Sequence, residues 1–176
     1  TDGMVYHGAN TSAPETDALT LPEASGTSDN AGWWQDTAPT SSSVYIGTHD
    51  RVNTDGNTYV AYCFAPIKGY SNGNADGAFI YTGFKPAFVI QKQTNADGEF
   101  WMMKDSTREP FNQTDANVYP NAQNAEVDTN GIDLLSNGFK CRTAGAGSNA
   151  DGATYIYIAF AESPFVSSEG VPTTAR

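Results

Sequence analysis

A chain of 176 residues, 39% hydrophobic and 12% aromatic, can fill one domain, or two small modules sharing a core. Only 16% of it is charged, while Gly, Asn, Ser and Thr are abundant, a composition that suits strands and turns better than helices. The formal net charge of −11, with no local cluster of Lys or Arg, argues against nucleic acid as a partner because the phosphate backbone would be repelled.

The twenty acidic residues are scattered along the chain and read as a solvated surface. No apolar run approaches the ~20 residues a membrane-crossing helix needs, so no membrane insertion is expected. A signal-peptide pattern is absent, and the chain opens at Thr1 with its first Met at position 4, which reads as a fragment or a processed product.

Taken in chain order, "MVYHG" at Met4–Gly8 is a faint strand signal. "GWWQDTAPTSSSVYIGT" follows, with Trp33 and Trp34 adjacent and an extended run over Ser43–Thr48. Asp55-Gly56 marks a turn that feeds Thr58–Ala65, "TYVAYCFA", rich in aromatic and β-branched residues and too short for a typical helix. Pro66 then ends the pairing. Ala78–Thr82, Ala87–Gln93 and Glu99–Lys104 read as further strands, the last two joined by a turn around Asp97-Gly98. The best helix candidate, Asn121–Val127, is short and lacks a sustained 3.6-residue apolar period. Gly138–Thr143 and Thr154–Ala161 complete the set, the second stopped by Pro164.

Part of this order is written twice. "NTDGNTYVAYCFA" from Asn53 and "NADGATYIYIAFA" from Asn149 share seven of thirteen residues without a gap. Upstream, "SVYIGT" at Ser43–Thr48 precedes the first copy as "GFKCRT" at Gly138–Thr143 precedes the second. Each copy is therefore expected to be an antiparallel hairpin ending in a well-buried strand. The fold class that follows is all-β: a β-sandwich, or a closely related barrel, built from two internally repeated half-domains. Their expected bounds are residues 1–66 and 67–176, together one compact β domain.

Catalytic patterns are missing. There is no GxSxG elbow, HExxH pair, Rossmann fingerprint or phosphate loop, and "GAGSNADG" lacks the Lys and helix that phosphate binding needs. "NGNADG" at Asn72–Gly77 resembles the start of a calcium loop, but Gly83 stands where the closing Glu belongs, so it reads as a turn. Cys63 and Cys141 lack redox or metal spacing and read as two buried free thiols, and His7 and His49 are isolated. No metal and no organic cofactor are expected. Asp105, Glu109 and Asp115 lie near Trp101 and Phe111, the one place where a glycosidase-like carboxylate pair deserves a test.

The strings "TYVAYCFAPIKGYS", "ADGAFIYTGFKPAFVIQK", "REPFN", "GIDLLSNGFK" and "TYIYIAFAESPFV" carry a resemblance, together with the upstream "GWWQDTAPTSSSVYIG". The chain resembles a family found at the carboxyl ends of tailed-bacteriophage virion proteins, marine phages above all, and the match covers nearly the whole chain. The resemblance implies a non-enzymatic structural domain of a tail fibre, tailspike tip or capsid fibre, exposed on the virion. It implies contacts with other virion proteins and with other copies of itself, a homotrimer being the common arrangement for such fibres. The alternatives are a carbohydrate-binding module for host surface glycans and a glycan-degrading tailspike enzyme. Trp33, Trp34, Trp101 and Tyr119 are the candidate exposed contacts for a glycan or a neighbouring subunit.

Overall fold

The computed structural model describes residues 2–63 and 76–162. Ten strands run through them: β1 (Met4–Val5), β2 (Asp17–Thr20), β3 (Ser28–Asp29), β4 (Phe79–Tyr81), β5 (Pro86–Gln93), β6 (Met102–Asp105), β7 (Thr114–Asn117), β8 (Val127–Leu135), β9 (Gly138–Cys141) and β10 (Tyr155–Ala161). Among the described residues helix is confined to a 3-10 turn at Pro14–Thr16 and one turn of α-helix, α1, at Asp50–Asn53. The protein is nearly all β, with antiparallel sheets stacked as the sandwich reading expects.

The strands form three sheets, in the orders β1-β2-β3, β10-β5-β6 and β4-β9-β8-β7, and every pairing is antiparallel. Side chains alternate along a strand, so a sheet covered on both sides needs apolar residues at successive positions. β10 and β5 meet that need. Tyr157, Ala159 and Val89 pack against Ile80, Ile132, Leu134 and Phe139 of the four-stranded sheet. Ile156 and Ile90 join Leu19, Val5 and Trp101 on the other side. The sheet containing β10 is thus the middle layer. A third cluster gathers Ala18, Trp33, Trp34 and Val52 beside the first sheet, with Tyr6 and Ile46 packed on it.

Several expectations are met. β4, β5, β9 and β10 lie where the strand signals fell, and β5 turns into β6 near Gly98, which adopts a φ of +83°. Both cysteines are free thiols.

Other expectations are corrected. Ser43–Thr48 and Thr58–Cys63 form no strand, because a β-prone run becomes a strand only where a neighbouring edge accepts its hydrogen bonds, and none among the described residues does. Nor do Gly138–Thr143 and Thr154–Ala161 form a hairpin: β9 pairs with β8 and β4, whereas β10 pairs with β5. The connection between them is folded on itself and carries the chain from one sheet to the next. β6 begins at Met102, and Asn121–Val127 holds no helix. Cys63 is exposed, and only Cys141 is buried. Phe64, Pro66, Pro164 and the boundary between residues 66 and 67 lie outside the described residues, as do residues 72–75 of the calcium-like loop.

Candidate functional site

The repeated segments share a local scaffold. The Tyr59 hydroxyl donates to the Asp50 carbonyl at 3.0 Å and accepts from the Thr54 amide at 2.9 Å. Its counterpart, the Tyr155 hydroxyl, donates to the Ala146 carbonyl and accepts from the Ala150 amide at 3.0 Å. Asn53 and Asn149 each donate from the side-chain amide, to the carbonyls of Gly47 (3.0 Å) and Thr143 (3.2 Å). Gly56 and Gly152 both turn at positive φ, +77° and +68°, a conformation glycine adopts at little cost. The same loop, closed by a tyrosine hydroxyl, has been built twice.

The tryptophans named as candidate contacts are not surface platforms, which corrects that expectation. Trp101 is wholly buried, with its indole N–H donating to the Thr20 carbonyl at 3.3 Å. Trp34 is buried against the edge of Tyr6 and donates to the Asp17 carbonyl at 2.8 Å. Trp33 is buried beneath the imidazole of His49, with ring centroids 3.8 Å apart. Large rings bury much apolar area, and three small sheets need them as cores. Tyr119 is half-buried and packs on Phe100 at 5.4 Å. The solvent-facing apolar side chains are different ones: Val60 at 77% exposure, Tyr62 at 81%, Tyr81 at 58% and Phe111 at 83%. Alternation within the copied segment signals the first two only if the segment lacks a covering layer.

Two concave regions accompany this surface. A cleft of about 270 Å³ opens between the middle and four-stranded sheets, lined by Ile80, Phe139 and Ile156 together with Gln91, Ser148 and Tyr155. Among the described residues no charged side chain lines it. Burial and the Lys104 charge act on its thiol Cys141 in opposite directions; burial wins and pushes it up to about 11, so it is a poor nucleophile. A broader groove of about 590 Å³ runs past Trp33 and His49 and is polar, walled by Glu23, Ser25, Thr27, Arg51 and Asp97. His49 Nδ1 accepts the Arg51 amide at 3.2 Å, capping α1, and lies 2.7 Å from the Asp50 carboxylate.

Two of the carboxylates near Trp101, Asp115 and Glu109, act on a buried lysine. Lys104 donates from Nζ to the Thr129 carbonyl at 3.1 Å, and burial lowers its ammonium to about 8 against the pull of Asp115 and Glu109. Glu109 Oε2 accepts the amides of Asp115 (2.6 Å) and Ala116 (2.7 Å). Burial and the Glu109 charge raise the Asp115 carboxyl. Partial burial would also raise Asp105, but bonds from the amides of Arg108 and Thr107 and from the Arg108 guanidinium hold it below the usual range. Asp105 and Glu109 therefore close the loop before β7, where their oxygens are committed to backbone and Arg108. No group of three or more metal-ligating side chains converges among the described residues.

Stacked antiparallel sheets around buried tryptophans define an all-β domain. The chain belongs to a family known as a domain of unknown function (DUF7483), whose model matches residues 1–164. No curated protein and no solved structure matches it.

Proposed function

We propose that this domain is a non-catalytic structural part of a bacteriophage virion appendage, working in particle assembly or host attachment. Sequence motifs spread over nearly the whole chain support the phage reading. The observation that carries the structural role is the standing of Val60, Tyr62, Tyr81 and Phe111 in solvent. Scattered single apolar residues are ordinary on a surface, but so many large ones on a small domain suit a protein whose surface is covered in an assembly. Purified phage particles labelled with an antibody against the domain, viewed by negative-stain microscopy, provide the test. Decoration of a fibre or spike is expected, and a particle that carries no label anywhere overturns the virion reading.

A second reading, contact with a host glycan, draws on the polar groove rather than on the tryptophans. Glu23, Ser25, Thr27, Arg51 and Asp97 offer the mixed donors and acceptors that sugar hydroxyls use. A glycan array containing host surface polysaccharide should show saturable binding that Asp97→Ala weakens. Absence of binding to any array member removes this reading and leaves the structural one intact.

A further inference from the structure

The two copied loops are alike up to their tyrosines and diverge immediately after them. Beyond Tyr155 the chain pairs with β5 along the whole of β10. Beyond Tyr59, Val60, Ala61, Tyr62 and Cys63 are as rich in β-branched and aromatic side chains, yet all are exposed and none belongs to a strand. A loop that launches a strand in one copy therefore launches, as far as Cys63, a segment that pairs with no strand among the described residues in the other.

An edge of matching character stands elsewhere in the fold. β4 ends the four-stranded sheet, with β9 on one side and no strand on the other among the described residues. Its ladder extends past its named ends, through Gly77 N–H to Cys141 O (3.1 Å) and Thr82 N–H to Asn137 O (3.0 Å). The usable edge thus runs from Gly77 to Thr82, the same length as Thr58–Cys63. Phe79 and Tyr81 project from it into solvent, while Ile80 points into the core. An open edge and an unpaired β-prone segment are complementary: among the described residues, one has no strand along its outer side and the other has none on either side.

We infer that Thr58–Cys63 is a subunit-contact strand that docks along the outer edge of β4 in a second copy of this chain. Charge favours a second copy as the occupant. Each chain carries a net charge of −11, so two copies repel except where they are neutral, and neither Thr58–Cys63 nor Gly77–Thr82 contains a charged residue. Side-chain alternation sets Val60 and Tyr62 on one face of the added strand, where they cover Phe79 and Tyr81. The inference deepens the structural reading above by naming the contact. Its test uses the isolated chain, so its failure is separate from failure of the virion assignment.

Cysteines on the face shared with Tyr81 supply the test, because alternation turns Cys63 to the other face. Chains carrying Cys63→Ser with Val60→Cys or with Tyr62→Cys are mixed with a Cys63→Ser/Tyr81→Cys chain under mild oxidation, and the mass of these and of the wild type is followed by light scattering and non-reducing electrophoresis. Cys141 does not compete, being buried in both chains. The expected result is a wild-type mass of at least two chains, a disulfide joining the two different chains, and a monomer for Val60→Lys/Tyr62→Lys with an unchanged circular dichroism spectrum. A wild-type monomer at every soluble concentration overturns the inference. So does a disulfide that forms only when Val60→Cys or Tyr62→Cys is carried in one chain with Tyr81→Cys, which would mean that the segment pairs with its own β4.

Discussion

At the scale of single residues, Lys104 sets a measurable pH dependence. Its side chain is buried among Asp115, Glu109, Arg108 and Cys141, and its ammonium is lowered to about 8, below its unfolded value of 10.5. Below pH 8 the folded protein carries the full penalty of a buried charge. Above that, the unfolded chain binds the extra proton, so stability rises with pH toward 10.5. Cys141 acts in the opposite sense, because burial raises its thiol to about 11 from 9.0, and the stability it contributes is lost between those values. Thermal melts should therefore show a rise from pH 8 to 9 that flattens above 9. Lys104→Met should lack the rise, and Cys141→Ala should extend it to higher pH. Trp101 gives a second check. Its indole is wholly buried and hydrogen-bonded, so Trp101→Ala should cost about 3–5 kcal/mol in a denaturant melt. A loss under about 1 kcal/mol would mean the indole is not a core element.

At the scale of elements, the repeated loop separates what two copies of one sequence do. Tyr155→Phe removes the hydroxyl that bridges Ala146 and Ala150 in a half-buried setting, and should cost about 1–2 kcal/mol. Tyr59→Phe removes the same pair of bonds from an exposed loop, so its loss should be the smaller of the two by the same melt. β10 carries a related lesson. Phe160 reads as a buried strand residue, yet it is 44% exposed beside Phe88, with ring centroids 5.6 Å apart. Phe160→Ala should then cost about 1–2 kcal/mol, less than truncation of a core ring, because only part of its area is withdrawn from water.

At the scale of the whole molecule, three clusters hold three sheets, and the middle sheet is shared between two of them. The contacts that join these layers are apolar, and the loops before Tyr59 and Tyr155 are closed by tyrosine hydroxyls and asparagine amides. Melting temperature should be the same with and without a chelator. A large drop on chelation, reversed by calcium, would show that the acidic loops hold an ion. A buried lysine adds a polar tie between two loops. Lys92 donates to the Glu99 carbonyl at 2.9 Å and to the Ala24 carbonyl at 3.4 Å, tying the first sheet's loop to the turn between β5 and β6.

The β class, the turns at Asp-Gly, the strands β4, β5, β9 and β10, and the repetition of one loop were legible in the sequence, because strand preference and positive-φ glycine are local properties. Pairing is not local. The same aromatic, β-branched run is a strand at Tyr155 and unpaired at Tyr59, since only the first meets an edge within the described chain. Burial is not local either: Trp33, Trp34 and Trp101 look the same on paper whether they face solvent or a second layer. β2, β3 and β7 carry no strand signal and are strands because neighbours supply their hydrogen bonds. Local chemistry determined which segments could be extended, and the tertiary structure decided which edges they joined and which apolar side chains were left outside, because coverage depends on residues far away along the chain.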